Sequence, residues 1–296
     1  MATNKNGRLI KADYFQLSEE KGDFNRLLKD LMKKDISERM IPLADRPVRL
    51  ETCSVWKDGE KELIEGELVR IRMENLPVKA SENAGIDDLG LKADEGIGEE
   101  TAFLYSPADK VLILQRNRQG VSYTRFEDYF NHMDEDNTMI ALFPMMTRAA
   151  LERMKNAAGF RALTITVAPV SGTDDLKDCG ASVSHAMDAM DALGGERISF
   201  TVSLKHRQGN TLDRRSIMDT VKNLLHRRER GSDIATLQLR ADEEDDGVNV
   251  IDFIKDRLCA REMISYDTDR RMSYNVRQQF LRRAWTWKAF QKMIAK

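Results

Sequence analysis

Two apolar runs in the middle of the chain, 101–105 and 110–115, are separated by Ser106-Pro107-Ala108-Asp109. Each run is too short for a buried helix, and the separator holds residues that reverse a chain. The segment therefore reads as a hairpin of two strands, both central in their sheet.

The flanking segments supply more strands and helices. A strand is expected over 8–17. Phe24, Leu27, Leu28 and Leu31 recur at helical spacing behind Asp23, a good N-cap. Residues 47–56 and 62–73 read as strands joined through Asp58-Gly59. A helix follows the central hairpin at about 123–132, with Phe126, Tyr129 and Phe130 on one face. A short strand at 139–143 and a helix capped by Thr147, running to about 157, come next.

The clearest strand is 163–170, where Leu163, Ile165 and Val167 alternate with Thr164 and Thr166. After it come a helix at 181–193, a strand at 197–205, a helix from Asp213 to Arg228 and a strand at 234–240. That order describes a compact α/β unit. A strand-like stretch at 248–254 and one long C-terminal helix over 267–296 complete the chain. The expectation is an α+β protein: a mixed-sheet globular domain (1–158 with 259–296), a smaller βαβαβ-type domain (159–258) carrying a basic cluster, and the long terminal helix.

The length, 296 residues, suits two domains, and 41% hydrophobic residues argue against global disorder. The three cysteines are far apart and suggest no disulfide framework or metal spacing. Residues 1–17 hold no apolar run of signal-peptide length, and no stretch is long enough to span a bilayer. A cytoplasmic protein is expected.

Catalytic signatures are missing. His132, His185, His206 and His226 fit no H-E-x-x-H pattern, and there is no P-loop, dinucleotide fingerprint or nucleophile elbow. Glu196, Arg197 and Lys205 form only a loose nuclease-like set. The acidic run 242–246 lacks the ligand spacing of a calcium loop. No cofactor and no catalytic or metal residue is expected.

Charge distribution is the positive signal. The net charge is only −2. Yet 205–230 holds eight lysines and arginines against three acids, and 270–296 holds eight and no acid. Acid concentrates in 79–100, which reads as a long loop, and in 242–246. Candidate DNA contacts are Lys205, Arg207, Arg214, Arg215, Lys222, Arg227 and Arg228. A small group, Arg116 and Arg118, and the C-terminal Arg270, Arg271, Arg277, Arg282 and Arg283 complete the set, with Trp285 and Trp287 interleaved. Guanidinium forks and ammonium heads suit phosphate oxygens, and neutralising phosphates releases counterions. No motif for reading base sequence is present.

The layout carries a resemblance. Glu95-Gly96-Ile97-Gly98-Glu99-Glu100 leads into the two apolar strands and then a helix with Tyr129-Phe130. A strand ending in Lys205 and Arg207 leads into a basic helix, and Thr236-Leu237-Gln238-Leu239-Arg240-Ala241-Asp242 leads into an acidic turn. In this order of elements the chain resembles the RexA-like family of prophage-exclusion and phage-defence proteins. The resemblance implies a homodimeric, sequence-tolerant DNA-binding protein, with Lys205 and Arg207 as leading contacts and a membrane effector as functional partner. The alternative is a metal-dependent nuclease or toxin-like effector of a defence system.

Overall fold

The computed structural model describes residues 7–43, 46–134, 138–167, 181–195, 197–204, 211–227, 234–242, 248–265 and 271–294. They form an α+β fold of twelve strands in two antiparallel sheets and seven helices. The chain divides into two compact units: Met1–Ala141 with Cys259–Lys296, and Leu142–Leu258. The expected boundary after 158 thus differs from the observed one after Ala141. The expected mixed sheet is antiparallel instead.

In the first unit, β1 (Gly7–Lys21), β2 (Met40–Pro42), β3 (Pro47–Asp58), β4 (Lys61–Arg72), β5 (Ile97–Ser106), β6 (Val111–Gln115) and β12 (Cys259–Ser265) lie in the order β12-β1-β6-β5-β4-β3-β2. A further strand, β7 (Met139–Pro144), also pairs with β1. The hairpin read from the sequence is β5–β6, with Ser106 opposite Val111. β3 and β4 meet at Asp58↔Lys61, and Gly59 takes the positive φ, +61°, of that tight turn.

Tyr14 and Phe15 show why both faces of this sheet are covered. Adjacent strand residues point to opposite faces. The Phe15 ring lies 4.9 Å from Tyr123 of α2 (Tyr123–Met133), which Ser122 caps. The Tyr14 ring lies 4.6 Å from Phe290 of α7 (Lys288–Ile294), and its hydroxyl donates to the Ala284 carbonyl at 2.8 Å. On the Phe15 side, α1 (Phe24–Leu31) buries Phe24, Leu27, Leu28 and Leu31, and Asp23 accepts from the Arg26 N–H. Phe24 stacks edge-on against Tyr105 and Phe130, and Phe103 against Phe126.

The C-terminus corrects the expectation of one long helix. It holds α6 (Tyr274–Trp285) and the short α7, with a break at Thr286 and Trp287. The break lets Phe290 turn back onto Trp285, at 5.5 Å, and onto Tyr14. The acidic loop also ends earlier than read: 97–100 belong to β5, so Glu99 and Glu100 are strand residues.

The second unit packs α3 (Arg148–Asn156), α4 (Ala181–Ala192) and α5 (Arg214–Arg227) on one face of a four-stranded sheet. That sheet comprises β8 (Gly159–Val167), β9 (Ile198–Ser203), β10 (Ile234–Asp242) and β11 (Val248–Asp252), in the order β11-β10-β8-β9. Leu163, Ile165, Val167, Leu237, Leu239 and Ile251 meet Val183, Met187, Ile217, Val221 and Leu224 in its core. The alternate residues line the other face, where hydroxyls pair across strands: Thr164 with Thr201 at 3.0 Å and Thr166 with Ser199 at 2.9 Å. β9 and β10 each run antiparallel to β8 between them, so they are not the adjacent parallel pair of a βαβ unit.

Candidate nucleic-acid interface

α5 forms because Asp213 caps it, accepting from the Ser216 N–H at 2.7 Å, and because Ile217, Val221 and Leu224 recur on one buried face. Hydrogen bonds from the Ser216 hydroxyl and N–H hold the Asp213 carboxyl below the usual range. At the helix start Arg214 and Arg215 are exposed. The Arg214 guanidinium donates to the Met154 carbonyl at 2.8 Å and lies 5.2 Å from the Phe160 ring centroid. Neither contact neutralises it. Arg215 interacts electrostatically with the capping Asp213, whose carboxyl it helps to hold down. Lys222 and Arg227 lie along α5, with side chains outside the described set, and Lys205, Arg207, Arg228 and Arg270 lie outside it altogether.

The C-terminal arginines belong to a different kind of structure. They are the teeth that fasten α6 to the large sheet. Arg277 is buried and donates to Glu67 at 2.9 Å, with Glu100 at 3.0 Å from its other fork. Arg282 donates to Glu65 at 2.9 Å and lies over the Trp56 ring. Arg283 meets Glu262 at 2.9 Å, and Arg271 hydrogen-bonds Glu100. Arg116 donates to Asp13 at 2.8 Å. Arg277 is thus corrected from a surface contact to a buried structural residue, and the charges of Arg116, Arg271, Arg282 and Arg283 are each matched by a carboxylate. Arg118 is exposed with no partner among the described residues. Trp285 is a core residue whose indole N–H donates to Asp58 at 3.0 Å, while Trp287 is partly exposed.

The partner carboxylates were missed in the sequence. Glu65 and Glu67 sit in β4, whose imperfect alternation is the trace they left. Burial pushes the Glu67 carboxyl up, against the pull of Arg277. The glutamate hydrogen bond pushes the Arg282 guanidinium up, so it stays charged.

Among the described residues no three His, Cys, Asp or Glu side chains gather as a metal site. Nor is any helix among them long and apolar enough to cross a membrane.

The chain belongs to the DUF6731 family. That family is described as one of unknown function, and its model matches residues 8–293. The match runs through both units, so the second unit is part of what defines the family and not a local addition. No curated protein matches the chain.

Proposed function

We propose that this chain binds DNA, with little sequence preference, through the second unit, where α5 presents its basic residues. The observation that carries this is a contrast between two stretches that each hold eight lysines and arginines. Arg271, Arg277, Arg282 and Arg283 each meet a carboxylate. Arg214 meets a carbonyl and an aromatic ring, and Arg215 faces only the helix-capping Asp213, whose carboxylate also accepts from Ser216. Exposed guanidiniums on a helix whose other face is buried are what a phosphate backbone requires. Lys205, Arg207, Lys222, Arg227 and Arg228 lie within the same stretch of sequence. Arg118 has a supporting role at most, and the paired C-terminal arginines have none.

The cellular setting that accompanies this reading is a cytoplasmic homodimer of phage defence or prophage exclusion, working beside a membrane effector. It rests on the resemblance in the order of elements.

The test is a fluorescence-anisotropy titration of a short duplex at several salt concentrations. Wild-type affinity falls steeply with salt. Arg215→Glu with Lys222→Glu weakens binding by tenfold or more and lowers the salt slope by about 2, one for each contact removed. Affinity unchanged in a variant with a wild-type circular dichroism spectrum overturns the proposal.

A further inference from the structure

The two sheets end in β12 and β2, and in β11 and β9. An open strand edge templates pairing with another chain, so natural edges are short, charged, interrupted by proline or covered. β2 is three residues long and ends in Pro42. β12 carries Arg261 and Glu262. At β11 the Arg153 guanidinium donates to the Val250 carbonyl at 3.1 Å, and the Asp252 N–H donates to the Asp256 carboxylate at 3.0 Å. β9 is built differently. Its six residues, Ile198-Ser199-Phe200-Thr201-Val202-Ser203, hold no charge and no proline.

The pairing with β8 fixes which backbone groups of β9 face outward. The Leu204 N–H donates to the Arg161 carbonyl at 3.0 Å, and the register continues through Val202↔Leu163, Phe200↔Ile165 and Ile198↔Val167. In an antiparallel ladder, residues that bond the neighbouring strand alternate with residues that point away from it. Ile198, Phe200 and Val202 therefore bond β8, and the N–H and C=O groups of Ser199, Thr201 and Ser203 point to the open side. The side chains alternate as well. Ile198 and Phe200 pack on the helix-covered core but are only partly buried, and Val202 beside them is 39% exposed. Ser199 and Thr201 belong to the hydroxyl pairs of the other face, and both are exposed.

We infer that β9 pairs antiparallel with β9 of a second copy of this chain, about a twofold axis at Phe200. In this register Ile198 meets the partner's Val202, Phe200 meets the partner's Phe200, and Ser199 meets the partner's Thr201. It is the register in which all three apolar residues of β9 meet one another, and a slip by one residue would set them against hydroxyls. The apolar pairs cover the exposed rim of each core. The hydroxyls, which both donate and accept, continue their ladder across the axis. Ser199 and Thr201 exchange backbone hydrogen bonds with their counterparts. A twofold contact uses up the edge in both copies, so assembly stops at a dimer. The contact is small beside a permanent interface, so the dimer forms at concentrations on the order of micromolar. The inference gives the homodimer proposed above its interface and shares nothing else with the DNA-binding reading.

The experiment is sedimentation velocity of the full chain over a concentration series without DNA. The wild type shifts from monomer to dimer in the micromolar range. Thr201→Pro removes an N–H that points to the open side and leaves the bonds to β8 in place. It weakens association by at least tenfold and keeps the wild-type circular dichroism spectrum. Phe200→Cys gives an independent readout. Opposed residues of a non-hydrogen-bonded pair stand about 4.5 Å apart at Cα, within disulfide reach. Under oxidised glutathione this variant yields a covalent dimer in far higher amount than the wild type or Val250→Cys at the capped edge. Arg215→Glu with Lys222→Glu dimerises like the wild type, so failure of DNA binding and failure of this interface are told apart. A monomeric wild type, undiminished association of Thr201→Pro, or cross-linking of Phe200→Cys no greater than that of Val250→Cys overturns the inference.

Discussion

Arg277 and Glu67 lie 210 positions apart in the chain and form a hydrogen-bonded ion pair at 2.9 Å. Both side chains are 3% exposed. Breaking a buried pair from one side leaves an uncompensated charge. Arg277→Met therefore costs about 3–5 kcal/mol at pH 7. Glu67→Gln costs less, because Glu100 still neutralises Arg277 and a neutral amide is cheaper to bury. Urea unfolding of the two variants checks the order.

The pH dependence of Arg277→Met has a definite sign. Burial already raises the Glu67 pKa, and losing Arg277 removes the main opposing influence. A carboxyl whose folded pKa lies above its unfolded value destabilises the fold at high pH, and that penalty fades as pH falls through the folded pKa. The gap between Arg277→Met and wild type is therefore widest at neutral pH and narrows on acidification. Melting temperatures at pH 7 and pH 5 report it, and a gap that widens in acid contradicts the burial argument.

Arg282 and Arg283 are neighbours in sequence with unequal roles. Arg283 and Glu262 are both well exposed, and such a pair contributes at most about 1 kcal/mol. Arg282 covers Glu65, a largely buried carboxylate, and stacks on Trp56. Arg282→Gln costs roughly 2–3 kcal/mol, since it leaves that carboxylate without a counter-charge. Neither change alters DNA affinity, which the anisotropy titration measures on the same samples.

Gly66 faces Phe103 across the β4–β5 pairing. A Cβ there would stand 2.5 Å from the Phe103 ring and 2.8 Å from the Thr52 carbonyl oxygen. Gly66→Ala destabilises by about 1–3 kcal/mol through overpacking. Adding Phe103→Leu opens the ring side of that contact and recovers part of the loss. A double variant no better than the sum of the singles locates the strain at Thr52 instead.

Removing the Tyr14 hydroxyl isolates one tie between β1 and α6. Tyr14→Phe leaves the Ala284 carbonyl without its donor and costs about 1 kcal/mol. Hydrogen exchange at the α6 amides is the readout that places the loss.

Short-range patterns were legible. Asp23, Thr147 and Asp213 marked helix starts within a residue, because a cap and the first turn are neighbours in sequence. The β5–β6 hairpin and the apolar side of β8 were equally plain. What failed was long-range. β12 alternates Cys259, Arg261 and Met263 with Ala260, Glu262 and Ile264, with no apolar run to announce it. It exists because β1, about 250 positions earlier, offers an edge to pair with. The charge clusters misled for the same reason. An arginine in a basic run looks solvated until its carboxylate, two hundred residues upstream, is placed beside it.

The layout of the first unit also sets an order of events during translation. Residues 142–258 leave the ribosome before β12, α6 and α7 exist, so the second unit has its whole sequence in hand while the first lacks an edge strand and one covering layer. Domains fold as they emerge. In the nascent chain the later-starting unit is therefore the first that can finish, and Glu65, Glu67 and Tyr14 await Arg282, Arg277 and Ala284, encoded after it. A message cut short just past the second unit yields a protein whose large sheet is naked on one face.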